Sequence, residues 1–152
     1  MNVFDHLGQT YLEIDAAYAQ SEAITTLKSA HRKKFYLNKK RQLNDQAYFL
    51  FMFSRLEDRI RSLSDKLIDT KTSSLSDWKS KRTWGIIARR KDRINLMERV
   101  ALLTEIKGFD FQLIERYYKQ RNSIGHGGDF TINISMPNVL ADMKRLYKSL
   151  KP

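Results

Sequence analysis

The sequence has no cysteine, only two prolines and six glycines, and no run of about 18 apolar residues. Without cysteine there are no disulfide frameworks, thiolate nucleophiles, Cys-based zinc sites or iron–sulfur clusters, and a reducing cytoplasm is the compartment that fits. Without a long apolar run no membrane-spanning helix is expected. The acidic, amphipathic start MNVFDHLGQTYLEIDAAYAQSEAITTL is also unlike a secretory signal, so a cytoplasmic location is expected. Acidic residues are in short supply as well: 17 Asp and Glu stand against 28 Lys and Arg, a formal net charge of +11. Enough apolar material is present for a core, since 41% hydrophobic and 11% aromatic residues in 152 suit one globular domain spanning 1–152.

The scarcity of Pro and Gly lets helical periodicity persist, and apolar residues recur at spacings of three and four. Phe4, Leu7, Tyr11, Ile14 and Tyr18 form one stripe, on a helix with room to continue past residue 30. Phe49, Met52, Leu56, Ile60, Leu63 and Leu67 form a second, predicting a helix from about Asn44 to Asp69, with Thr70 to Ser76 as a loop because hydroxyl side chains compete with helical backbone bonds. A third helical region is expected over about Asp77 to Ile106, with a break near Gly85 and a stop at Gly108. A fourth starts near Asp110 as N-cap, turns Phe111, Ile114 and Tyr118 inward, and ends at RNSIGHGG. Residues 131–135, TINIS, are too few for a sheet and predict a short irregular or extended segment. Pro137 then suits the first turn of a last helix striped by Val139, Met143, Leu146 and Leu150. The expected fold is all-α, a single bundle of about five helices.

Positive charge is unevenly placed. Residues 1–27 hold four acids and no Lys or Arg. Seven cations follow between Lys28 and Arg41 with no acid, among them Arg32, Lys33 and Lys34, and Phe35 and Tyr36 are interleaved. Seven more lie between Lys79 and Arg93, including Arg89 and Arg90, with Asp92 the lone acid and Trp84 interleaved. Such clusters neutralise phosphates and release counterions, and aromatic faces can stack unpaired bases, so RNA or another single strand is the partner that fits. The competing reading makes the charges a solvated face and places Phe35, Tyr36 and Trp84 in the core.

Most catalytic signatures are missing: no GxxxxGK[ST] loop, GxGxxG turn, GxSxG elbow or HExxH pair occurs. His6, His31 and His126 are far apart in sequence, so neither a metal site nor a cofactor is expected. One cluster stands apart, Arg121-Asn122-Ser123-Ile124-Gly125-His126. Asn122 and His126 are four residues apart and share a helical face, which lets the amide orient the imidazole. Arg121 lies about 140° from His126 around an ideal helix and must reach, or the turn at Gly125 must unwind. Phosphodiester cleavage needs these groups: a guanidinium fork neutralises charge developing on phosphate, and an imidazole moves a proton. The alternative is structural, with Arg121 and Asn122 capping the helix, His126 complementing its dipole and the glycines stopping it.

The stretch 121–126, Arg, four residues, then His, with a polar Asn directly after the Arg, resembles the HEPN superfamily, the helical domains of the higher-eukaryote and prokaryote nucleotide-binding group. The resemblance extends to the all-helical pattern and to the motif's position after several long helices. It implies a metal-independent endoribonuclease of toxin or antiviral-defence type, in which a ribose 2′-hydroxyl attacks phosphorus and leaves 2′,3′-cyclic phosphate and 5′-hydroxyl ends. On that likeness Arg121, Asn122 and His126 are the catalytic set. His126 is the general acid or base, Arg121 stabilises the phosphorane, and Asn122 orients His126 or the scissile phosphate. Lys119, one turn earlier, joins Arg32, Lys33, Lys34, Arg89 and Arg90 as an RNA contact. The resemblance also implies a homodimer whose twofold axis builds a composite site, with an antitoxin or other regulatory protein as a further partner. Toxin members paired with a nucleotidyltransferase antitoxin carry a Tyr soon after the His, whereas Gly127, Gly128, Asp129 and Phe130 follow here. Glu57 and Asp58 are placed where the family often supplies another polar residue, yet each can pair with Arg61 or Arg55 on its own helix. Two alternatives stay open: a catalytically silent HEPN scaffold binding RNA or a protein, and an unrelated basic helical nucleic-acid-binding protein.

Overall fold

The computed structural model describes residues 3–24, 31–74 and 77–152. Its elements are α1 (Val3–Ile24), α2 (His31–Ser74), α3 (Trp78–Arg89), a 3-10 turn (Lys91–Arg93), α4 (Leu96–Leu103), α5 (Phe109–Gly125) and α6 (Met136–Ser149). The chain is all-helical, with no strand among the described residues, and 131–135 is irregular as the spacing predicts. None of these helices is long and apolar enough to cross a membrane.

Several boundaries differ from the sequence reading, each for a local reason. The expected run of the first helix past residue 30 falls partly on 25–30, outside the described residues. α2 spans 44 residues and begins at His31 rather than near Asn44. Its first turns are rich in Lys, Arg, Leu and Gln, straight-chain residues that lose little rotamer freedom in a helix. The loop expected at 70–76 is helix through Ser74. Thr72 Oγ donates to the Ile68 carbonyl (2.7 Å) and Ser73 Oγ to the Asp69 carbonyl (2.8 Å), so the hydroxyls bond back within the helix instead of competing with it. Leu75 and Ser76, the rest of that expected loop, lie outside the described residues.

Gly85 does not break the third region; α3 passes through it. The break falls at 90–95, where Asn95 caps α4 in a reciprocal box, its side chain accepting from Glu98 N (2.9 Å) while Glu98 Oε2 accepts from Asn95 N (2.8 Å). The third region is therefore two helices, which makes six among the described residues in place of about five. Gly108 does not stop it either, because α4 ends at Leu103 and Gly108 immediately precedes α5. Asp110 lies inside the first turn of α5 rather than at its N-cap, accepting from Arg145 at 2.7 Å. Tyr117, not Tyr118, is the tyrosine that α5 buries.

The described residues pack as two compact units, 1–53 with 120–144 and 54–119 with 145–152; α2, α5 and α6 contribute to each. In the first unit Phe4 of α1, Phe49, Met52 and Phe53 of α2, Ile124 of α5, and Met136, Val139 and Met143 of α6 are buried. Gly8 allows α1 to approach α6, since a Cβ there would lie 2.5 Å from Leu140 Cδ2. The acids of the first helix are consumed locally: Arg41 is clamped by Asp15 (2.8 and 3.1 Å) and Glu22 (3.0 Å), and Asp5 takes Lys144. The Asp15 hydrogen bond is the main reason the Arg41 guanidinium is held above its ordinary pKa.

In the second unit Leu56, Ile60, Leu63 and Ile68 of α2 are buried, together with Leu96, Val100, Leu113, Ile114, Tyr117, Leu146 and Leu150. Leu67, expected in that stripe, is half-buried. Arg99, 4% exposed, ties the turn between α3 and α4 to α2, donating to Ser64 Oγ (2.8 Å), Asp65 Oδ1 (2.6 Å) and the Lys91 carbonyl (2.7 Å).

Candidate active site

The end of α5 is shaped by two glycines. Gly127 has φ +81°, a left-handed conformation that a Cβ disfavours. Its N–H donates to the Ile124 carbonyl (2.9 Å), and the Gly128 N–H reaches back to the Ser123 carbonyl (2.9 Å). This pair of bonds is a Schellman motif, and it makes His126 the C-cap residue of α5. Gly128 must also be small, because a Cβ would lie 2.9 Å from Ser123 Oγ and 3.0 Å from its carbonyl oxygen. Gly127→Ala should therefore lower stability by about 1 kcal/mol, seen as a lower urea midpoint; an unchanged midpoint would mean the cap contributes nothing.

Arg121, Asn122 and His126 thus sit together on the last turn of α5 and its cap. Arg121 and Asn122 are half-buried and His126 is exposed. Arg121 Nη1 donates to Asn122 Oδ1 at 3.3 Å, so the amide oxygen is engaged by the guanidinium. The His126 backbone N–H donates to the Asn122 carbonyl (3.1 Å), while its imidazole has no hydrogen-bond partner among the described residues. The arrangement exposes an imidazole at the cap of α5, five residues after a half-buried guanidinium that engages the Asn122 amide.

The segment after His126 is pinned from several sides, by groups the sequence reading did not single out. Ser123 Oγ donates to the Asp129 carbonyl (2.8 Å), and Gln120, 2% exposed, holds Thr131 by two bonds of 2.8 Å. Gln46 of α2 donates to Asp129 Oδ1 (2.8 Å), Lys39 lies 3.7 Å from the same oxygen, and Phe130 meets Phe49 edge-on at 5.3 Å. The Gln46 hydrogen bond holds the Asp129 carboxyl below the usual carboxylate range. Helical periodicity marks Phe49 as core, but no local pattern marks Gln46 and Asp129, which are 83 residues apart, as partners.

Of the expected RNA contacts, Arg32, Lys33 and Lys34 are exposed on the first turns of α2, in the same unit as the motif. Phe35 and Tyr36 are not core, as one reading had it, but 69% and 65% exposed; Trp84 is half-buried. Lys119 is exposed and pairs with Glu115 one turn back on α5 (3.2 Å). Arg89 and Arg90 are exposed at the end of α3 in the other unit, where Arg90 and Arg93 line a cavity of about 500 Å³ with Ile86, Ile87, Ile94 and Leu102. Glu57 pairs with Arg61 (2.9 Å) and Asp58 with Arg55 (3.9 Å), each on its own helix. Among the described residues no group of three or more His, Asp and Glu side chains is placed to hold a metal ion. Comparison with protein-family models, curated proteins and solved structures finds no match in any of the three.

Proposed function

We propose that this protein is a metal-independent endoribonuclease of HEPN type, acting in a toxin or antiviral-defence role with RNA as substrate. The observation that carries the reading is the exposed His126 imidazole at the α5 cap, five residues after Arg121 on the same helix end. In the reaction the substrate's 2′-oxygen forms a bond to phosphorus and the bond from phosphorus to the 5′-oxygen breaks. His126 takes the 2′-hydroxyl proton or delivers one to the leaving 5′-oxygen, and Arg121 offsets the negative charge of the phosphorane. Asn122 keeps the guanidinium in place through its 3.3 Å bond.

Two copies about a twofold axis would supply one imidazole to take the proton and another to give it. An exposed apolar stripe on α2, with Leu43 52% and Phe51 61% exposed, supports a second copy of the chain as the partner. An antitoxin or other regulatory protein, and a cytoplasmic setting, belong to the same reading.

Labelled RNAs of mixed sequence incubated in EDTA should be cut to fragments with 2′,3′-cyclic phosphate and 5′-hydroxyl ends, by a protein that light scattering finds dimeric at micromolar concentration. No cleavage of any RNA would leave the silent scaffold as the better reading. One observation favours that second reading: the Schellman geometry alone accounts for Gly127 and Gly128 as a helix stop.

A further inference from the structure

Arg32, Phe35, Lys39, Gln42, Gln46 and Phe49 recur along α2 at spacings of three and four, and so occupy one face of the helix. The C-terminal half of this face is covered by the chain that follows His126: Phe49 meets Phe130, and Gln46 and Lys39 meet Asp129. Beyond Lys39 the same face continues with no cover among the described residues. Phe35 lies one turn further on, about 6 Å along the axis, and Arg32 about 10 Å from Lys39. Phe35 is 69% exposed, with Tyr36 standing edge-on to it at 6.2 Å, and Arg32, Lys33 and Lys34 are exposed on the preceding turn of the helix. Phe35 and Tyr36 thus form an exposed aromatic pair among cations, on the face whose other end meets Asp129 and Phe130 just after His126.

We infer that the Arg32–Phe35 end of this α2 face is a stacking subsite for an unpaired base of RNA bound at the Arg121–His126 site. This rests on the ribonuclease reading and adds what it leaves open, how the substrate is held beyond the scissile phosphate. A base stacks on the Phe35 ring, and the adjoining phosphate is neutralised by Arg32, one turn away on the same face. Duplex RNA cannot use the subsite, because its base faces are already stacked within the helix. Selection is therefore for unpaired nucleotides flanking the cut, whatever their sequence, since every base offers a π-face.

The test uses the full-length His126→Ala protein, so that binding is read without turnover, and fluorescence anisotropy with short single-stranded and duplex RNAs. Adding Phe35→Ala should weaken single-strand binding about tenfold, or about 1.4 kcal/mol, and leave duplex binding unchanged. Phe35→Trp should restore it. An abasic nucleotide scanned through the RNA should abolish the Phe35→Ala effect at one position. Unchanged affinity on Phe35→Ala, or an equal loss for duplex, overturns the subsite. So does unchanged RNA affinity with a changed mass by light scattering, which would make Phe35 a protein contact. Phe35-dependent binding by a protein whose wild type cuts no RNA would refute the nuclease reading and keep the subsite. Cleavage indifferent to Phe35 would do the reverse.

Discussion

Replacing His126 with alanine should lower RNA cleavage by about 100- to 10,000-fold, the range over which a positioned general acid or base accelerates proton transfer. Fold should be unaffected. The imidazole is exposed and has no hydrogen-bond partner among the described residues, and the cap that follows it is made by backbone groups of Gly127 and Gly128. Thermal or urea unfolding should thus shift by no more than about 0.5 kcal/mol, as for other surface substitutions. The contrast between a large kinetic effect and a flat unfolding curve is what distinguishes a reacting group from a helix stop. Equal cleavage by wild type and His126→Ala would sink the mechanism outright, and the motif would then be only the end of α5.

The second large effect belongs to stability. Arg99→Met should destabilise the protein by about 3 kcal/mol, near the lower end of what removing one member of a buried ion pair costs. It should lower the melting temperature by about 6–12 °C at roughly 2–4 °C per kcal/mol for a chain of this size. Arg99 is 4% exposed and its donors reach Ser64, Asp65 and the Lys91 carbonyl at 2.6–2.8 Å. Methionine fills much of the same volume but leaves those acceptors without a donor. Asp65 is 38% exposed and regains water when the pair is broken, which keeps the effect from the top of the range. Lys91→Met is the control: its pair with Asp69, 2.9 Å long and with Asp69 66% exposed, lies near the surface and contributes at most about 1 kcal/mol. Similar urea midpoints for Arg99→Met and wild type would show that the buried network does not hold the α3–α4 turn.

What could be read in advance followed from periodicity. Phe49, Met52, Leu56, Ile60 and Leu63 are buried on α2, as are Val139, Met143, Leu146 and Leu150 at the chain's end, because spacings of three and four leave one face to cover. The misreadings were of residue types with two local options. Thr72 and Ser73 resemble loop residues until their hydroxyls find carbonyls four residues back. Gly85 resembles a breaker, yet a glycine with nothing within 4 Å is tolerated inside a helix, and the break falls instead at 90–95, ahead of the Asn95–Glu98 box that starts α4. The motif at 121–126 was legible as a cluster because its members are adjacent. The groups that brace it, Gln46 and Lys39 on α2 and Gln120 beside Arg121, were not, because a polar pair separated by tens of residues leaves no periodic trace. Exposure of Phe35 was likewise illegible: an aromatic next to cations reads equally well as core or as surface, and only the folded chain decides.

The Schellman cap has a dynamic consequence. His126 closes α5 rather than lying within it, so the backbone carrying the imidazole is fastened by the last amides of a helix end, those of Gly127 and Gly128. Helix ends open locally at a far lower free energy than the whole fold. The fraction of molecules with the imidazole in position is then set by fraying of a single turn, and warming depletes that fraction before the core melts. Amide hydrogen exchange at Gly127 and Gly128 is the clock of that opening, and the proposed activity keeps time with it rather than with global unfolding.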